Sequence, residues 1–167
     1  MTNAAADVAI MMGSKSDLET MKPAAEVLKK LGLKVTVRVL SAHRTPEQAA
    51  AFVRDSAAGG TKVFICGAGG AAHLAGAVAA HTTRPVIGVP IASSSLQGMD
   101  SLLSTVMMPP GMPVATVAVG GAENAGLLAA QIIALTDDAL AARVEAEREA
   151  RRKKVLEADN EVRSQFT

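Results

Sequence analysis

Short runs rich in β-branched residues alternate along the chain with longer stretches of helical composition. VAIMM near the start, KVFIC, PVIGV and VATVAV are almost continuously apolar, with no polar residue in every second place. A strand that reads this way is covered on both faces, which is the condition of a parallel sheet. The pattern predicts strands at 7–12, 34–40, 62–66, 85–89 and 114–119, and helices at 18–31, 47–58, 71–81, 99–107 and 122–135. Gly32 and the pair Gly59-Gly60 stop the first two helices, and Pro46 sits where a first helical turn tolerates proline. Strands separated by whole helices cannot form hairpins. Right-handed crossovers must place them in one parallel sheet with helices on both sides. The expected architecture is a three-layer α/β/α sandwich around a five-stranded parallel sheet, with 1–167 as one domain.

The last segment, 136–164, reads differently. Residues 143–154 carry six basic and three acidic side chains with a thin apolar stripe. Thr136 is placed to cap a helix, Asp137 and Asp138 suit its positive end, and Glu147 with Arg151 and Glu149 with Lys153 form i,i+4 pairs. An extra C-terminal helix this polar either projects into solvent or packs on a neighbouring subunit.

Composition narrows the function. The 33 alanines and the absence of Trp and Tyr leave a core of small and aliphatic residues. With 17 basic against 16 acidic side chains, the net charge of +1 lacks the electrostatic footprint of a nucleic-acid binder. The N-terminal stretch has neither a positive leader region nor an apolar run long enough for a bilayer, so no membrane association is expected. A single cysteine, Cys66, cannot form an internal disulfide. It sits within an apolar strand, where a small buried hydrophobe is the expected role, and a cytoplasmic setting follows.

In parallel sheets ligands sit beyond the carboxyl ends of the strands. Three strand-to-helix loops there are rich in Gly, Ser, His and Arg. The first, Gly13-Ser14-Lys15-Ser16-Asp17, offers backbone N–H groups and hydroxyls at a helix start, a phosphate cradle in which Ser16 or Asp17 also serves as a cap. It is not a Walker A, since the Gly-Lys-Ser/Thr ending is absent. The second, Ser41-Ala42-His43-Arg44-Thr45-Pro46, puts a titrating imidazole beside a permanent fork of donors, unless Arg44 is merely solvated and His43 merely packed. The third, Gly67-Ala68-Gly69-Gly70-Ala71-Ala72-His73, matches G-x-G-x-x-A but follows the third strand and lacks the acidic partner about twenty residues on, so it is not a dinucleotide fingerprint. Close backbone approach to another ligand is the better use of its glycines. His73 and His81 have no carboxylate at ligand spacing, which argues against a metal site, and His81 reads as structural. A fourth stretch, 90–98, and the proline-rich 108–113 bracket the fourth helix and serve either a site or an ordinary connection.

Taken together, GSKSD, SAHRTP, GAGGAAHLAG, PVIGVP and GMDSLLSTVMMPPGMPVATVAVGGAENAGLLAAQI, in that order and spacing, resemble the N5-carboxyaminoimidazole ribonucleotide mutases of purine biosynthesis, the PurE family, class I. The resemblance covers about residues 8–133. It implies a flavodoxin-like sheet, a ribonucleotide substrate, no cofactor, and an isomerisation that moves a carboxylate from the exocyclic nitrogen to ring carbon 4. By the same resemblance Ser16, Ser41 and Arg44 hold the substrate phosphate with Ser14 nearby, and Asp17 binds the ribose. His43 is then the acid and base, while Ala68, Gly69, Gly70, His73 and Leu74 enclose the base and the migrating carbon dioxide. A homo-oligomer, an octamer, is also implied. Two alternatives remain: a direct carboxylase using carbon dioxide, whose second loop generally carries Lys where this chain has Arg44, and a nucleotide-binding module without chemistry. Ala75 stands where many relatives have proline in HLPG.

Overall fold

The computed structural model describes residues 6–166; the expectation about a leader falls partly on residues 1–5, outside that range. Strands β1 (Val8–Met12), β2 (Val35–Val39), β3 (Val63–Gly69), β4 (Val86–Ile91) and β5 (Ala115–Thr116) alternate with helices α1 (Leu18–Lys30), α2 (Pro46–Ala58), α3 (Leu74–Ala79), α4 (Met99–Val106) and α5 (Ala122–Ala134). A single 3-10 turn, Lys15–Asp17, precedes α1, and α6 (Asp138–Gln165) ends the chain. All pairings are parallel, in the order β2-β1-β3-β4-β5. That is the flavodoxin-like order, with its topological switch between β1 and β3.

Side chains alternate across the sheet and create two cores. Val8, Ile10 and Met12 of β1 face α1 and α5, while Ala9 and Met11 face α2 and α3. Helix α1 buries Met21, Ala24, Val27 and Leu28, a stripe at helical spacing, against the small residues Ala122, Ala125, Gly126 and Ala129 of α5. Such residues let the two backbones approach closely: a Cβ on Gly126 would stand 2.9 Å from the carbonyl oxygen of Ala24. On the other face, Gly88 of β4 leaves room for the Thr105 methyl of α4. The three-layer arrangement thus follows from the unbroken apolar strands.

Three boundaries differ from the pattern reading. β5 keeps two ladder residues rather than six, because Pro113 supplies no N–H and the chain turns at Gly120 and Gly121, whose N–H groups bond Pro90 O at 2.9 Å and Ala118 O at 2.8 Å. β3 runs on through Gly67, Ala68 and Gly69, which pair with Val89, Pro90 and Ile91. α3 starts at Leu74, not 71, because Gly70 (φ +61°) and Ala72 (φ +38°) both take left-handed backbone that no helix accepts.

At the chain end, Asp137 rather than Thr136 caps α6, its Oδ1 accepting from Leu140 N at 2.9 Å. Glu147 and Arg151 pair at 2.9 Å as expected, but Glu149 pairs with Arg152, at 2.8 Å, instead of Lys153. The first half of α6 docks on its own chain: Leu140 is fully buried, Arg143 Nε donates to Leu31 O at 2.8 Å, and Glu147 meets Lys30. Beyond Arg151 the helix is exposed. Among the described residues no helix is long and apolar enough to cross a membrane.

Candidate active site

The carboxyl ends of β1, β2, β3 and β4 deliver their loops to one rim, where they line a cleft of about 340 Å³. In the first loop Ser14 and Asp17 close a capping box. Ser14 N donates to Asp17 Oδ2 at 3.1 Å and Ser16 N to Ser14 Oγ at 3.3 Å. The Ser16 hydroxyl donates to Ser14 Oγ at 2.8 Å. The cap is thus Ser14, with Asp17 answering its backbone, rather than Ser16 or Asp17 capping α1, and Ser14 is also one of the hydroxyls expected near an anion. The two uses are compatible because the hydroxyls remain at the cleft wall.

The second loop is pinned by a reciprocal pair. Ser41 N donates to Thr45 Oγ1 at 2.9 Å, and that hydroxyl donates back to Ser41 O at 3.1 Å. This holds Ser41 Oγ as acceptor for the backbone N–H of His43 and Arg44, at 3.3 and 3.2 Å. The Arg44 guanidinium reaches across to the first loop, Nη2 donating to Gly13 O at 2.5 Å. Its Nε donates to Ser41 Oγ at 3.5 Å, and the side chain lines the cleft with Ser14, Ser16 and Ser41, a basic fork beside a cluster of hydroxyls, which is a donor set suited to a phosphate.

The third loop brings His73 to His43. His43 Nε2 and His73 Nδ1 are 2.7 Å apart, with the rings edge to face at 82°. Gly69 is required by contact: a Cβ there would run into the Ser93 hydroxyl, which lies over it. Ala72 holds a positive φ without being glycine, a local strain at the cleft wall. Of the residues singled out from the sequence, Ser14, Ser16, Asp17, Ser41, His43, Arg44, Ala68, Gly69, His73 and Leu74 line this cleft; Gly70 does not, because it forms the turn behind. His81 lies elsewhere, at a separate groove. Cys66 is buried, and burial pushes its thiol far above the ordinary range, leaving no thiolate for nucleophilic chemistry. Among the described residues no group of three His, Cys, Asp or Glu is placed to hold a metal.

The cleft also contains Ser93, Gly13, Ala42 and Ala72, which sequence reasoning missed. For Ser93 there was a signal, since it follows β4 in the hydroxyl-rich run Ser93-Ser94-Ser95 at the active rim. For Ala72 there was none, because nothing in an alanine announces a left-handed backbone.

The rim at the topological switch of this flavodoxin-like α/β domain brings a guanidinium and a cluster of hydroxyls together with a histidine pair, the setting in which α/β sheets of this order hold small ligands. Comparison with known proteins narrows it further. The AIR carboxylase family profile matches residues 7–154. The N5-carboxyaminoimidazole ribonucleotide mutase of Brucella melitensis is 56% identical over 153 residues, 90% of this chain and 94% of that protein. The mutase of Bacillus subtilis is 52% identical over 157 residues, 93% and 97% of the two chains. The crystal structure of Treponema denticola PurE superposes with a TM-score of 0.84 at 33% identity, covering 92% of this chain and 96% of that one. The chain belongs to the AIR carboxylase family, on the PurE fold.

Proposed function

We propose that the chain moves the carboxylate of N5-carboxyaminoimidazole ribonucleotide from the exocyclic nitrogen to ring carbon 4, giving 4-carboxy-5-aminoimidazole ribonucleotide, with His43 as acid and base. The isomerase role in purine biosynthesis follows from the identity to the mutases. The residue roles rest on one observation: His43 stands in the same cleft as the Ser14, Ser16, Ser41 and Arg44 cradle and meets His73 there.

The phosphate is held by Ser16, Ser41 and Arg44, with Ser14 and the backbone amides of the first loop beside it, and Asp17 takes the ribose hydroxyls. The heterocycle lies along Ala68, Gly69, His73 and Leu74, with Gly70 shaping the turn behind them rather than touching it. His43, as imidazolium, gives its proton to the exocyclic nitrogen while the bond from that nitrogen to the carboxylate carbon breaks, leaving aminoimidazole ribonucleotide and carbon dioxide. Ring carbon 4 then bonds to the carbon dioxide. The proton it carried returns to His43, which restores both the aromatic ring and the starting imidazolium. Ala68, Ala72 and Leu74 form an apolar wall that keeps the carbon dioxide from water. No step calls for a cofactor.

The same reading extends to assembly and setting: a cytoplasmic homo-oligomer, an octamer, in which segment 136–164 also packs on a neighbouring subunit. In support, α6 exposes Val155, Leu156 and Val162 beyond its docked half, and α4 exposes Met99, Leu103 and Val106. Light scattering at micromolar concentration is expected to show a large particle; a monomer contradicts it.

The deciding experiment supplies synthetic nucleotide with carbon-13 in the migrating carboxylate and follows it by NMR. Label at ring carbon 4 is the expected result. Absence of product overturns the reading, and product carrying only bicarbonate-derived carbon turns it into direct carboxylation.

A further inference from the structure

Ser93 occupies a place in the cleft that no part of the mechanism above uses. Along the rim, the β1 and β2 loops carry the phosphate cradle, β3 carries Gly69 and His73, and β4 ends in the loop that holds Ser93. At the usual strand spacing of about 4.8 Å, β4 stands roughly 10 Å from β1, so Ser93 closes the end of the cleft opposite the phosphate. The neighbouring walls there are Ala68, Ala72 and Leu74, and Ser93 brings the one hydroxyl among them. Its side chain lies directly over the bare Cα of Gly69. Its hydroxyl has no hydrogen-bond partner among the described residues, although it faces a cleft.

The loop that carries it is braced. Ser94 Oγ donates to Asp100 Oδ2 at 2.7 Å and accepts from Leu96 N at 3.2 Å. The buried Ser101 hydroxyl is 3.0 Å from both Ile91 O and Gly98 O, tying the start of the loop to its end. Gln97 and Gly98 take positive φ, at +51° and +92°, to make the return. A loop with a backbone this constrained does not hold a hydroxyl over Gly69 by accident of rotamer alone. Gly69 is kept free of a side chain at the one point where Ser93 must sit.

We propose that Ser93 is a substrate-contacting residue that donates a hydrogen bond to the migrating carboxylate, and that Asp100 is the positioning residue that holds it in place. This rests on the mutase reading. The donor is needed at the carboxylate end because the apolar wall that retains carbon dioxide offers nothing to orient it for attack by ring carbon 4, and an unoriented molecule has time to leave. Ser93 thus acts on commitment of the carbon to the product, not on capture of the nucleotide.

The test runs wild type, Ser93→Ala and Asp100→Asn with unlabelled N-carboxylated nucleotide in carbon-13 bicarbonate, measuring kcat, KM and the fraction of product labelled from outside. For Ser93→Ala, loss of one hydrogen bond to a charged group corresponds to a fall of roughly ten- to a hundredfold in kcat/KM. External label in the product is expected to rise several-fold, while affinity for aminoimidazole ribonucleotide, which lacks the carboxylate, stays within about twofold. Asp100→Asn is expected to leak label in the same direction and to a smaller extent. Unchanged kcat/KM and unchanged label in Ser93→Ala overturn the proposal, as does a fall in aminoimidazole ribonucleotide affinity as large as the fall in kcat/KM. No leak in Asp100→Asn removes the positioning role. If wild type itself forms no product, it is the mutase reading that fails.

Discussion

His43 Nε2 lies 2.7 Å from His73 Nδ1, across a sequence separation of 30 residues, so one of these two ring nitrogens donates and the other accepts. Two N–H groups cannot face each other at that distance, nor can two bare lone pairs, so the state of one ring dictates the tautomer of the other. The contact fixes where the ring of His43 points before any nucleotide arrives.

Replacing His43 by Asn keeps a hydrogen-bonding side chain of similar reach but no titrating group. Turnover is expected to fall by about a hundredfold or more, the scale of general acid and base removal, with nucleotide binding retained. Steady-state kinetics beside equilibrium binding of the nucleotide checks this; near-normal turnover eliminates the role.

His73→Ala removes the partner and leaves His43, the proposed acid, in place. The expected result is a loss of about tenfold in kcat from misorientation, with little change in KM, because the residues proposed to hold the phosphate lie on the other two loops. A change confined to KM instead assigns His73 to binding.

Arg44→Lys preserves charge but not the fork that spans Gly13 O and the hydroxyl cluster. KM is expected to rise by about tenfold, the worth of one charge-assisted hydrogen bond, with kcat less affected. Inorganic phosphate inhibition measured in parallel should weaken by a similar factor.

Gly126→Ala tests the closest helix contact. Its Cβ would press on the Ala24 carbonyl oxygen and on Val27, backbone and buried side chain that cannot swing away. Overpacking of this kind costs about 1–3 kcal/mol, read as a lower urea midpoint. The exposed Ala139→Gly at the start of α6 costs less, about 1 kcal/mol or below.

Glu147 links α6 to α1. Its carboxyl is held below the ordinary range, first by the hydrogen bond from Lys30 and then by Arg151, against a desolvation effect that opposes them. A carboxyl depressed in the folded state stabilises it fully above the ordinary carboxylate range, and that stabilisation is lost as pH falls through the depressed value. Glu147→Gln is therefore expected to lower stability at pH 7 by about 1 kcal/mol, since both partners are partly exposed. The gap to wild type should close in strong acid. Urea titrations at both pH values read the difference, and a gap independent of pH rules the ion pairs out as its source.

The strands, the parallel sheet and the three loops were legible because each rests on local signals: unbroken apolar runs, glycine stops, and hydroxyls and cations clustered where a strand gives way to a helix. The same loops named ten of the cleft residues. Ser93 is half legible: it belongs to the irregular stretch 90–98, where nothing local distinguishes it from Ser94 and Ser95. The true end of β3 lies beyond Cys66 because Gly67 and Gly69, which have the composition of a loop, are held in the ladder by pairing with β4. The late start of α3 is hidden because an alanine carries no local signal for the left-handed backbone that Ala72 takes after Gly70.

Sequence by itself determined the alternation of elements, the burial of β1, β3 and β4 on both faces and the rim at which the chemistry-bearing loops emerge, since period and composition act within a few residues of one another. The edge strands β2 and β5 stay half-exposed, VATVAV included, because each has a sheet neighbour on one side only. Tertiary structure alone decided that His43 meets His73, that Ser93 covers Gly69, and that α6 docks through Glu147 before running into solvent. These contacts join residues far apart in the chain. Their distances are set by strand order and helix packing, which sum over the whole core and are written in no single segment.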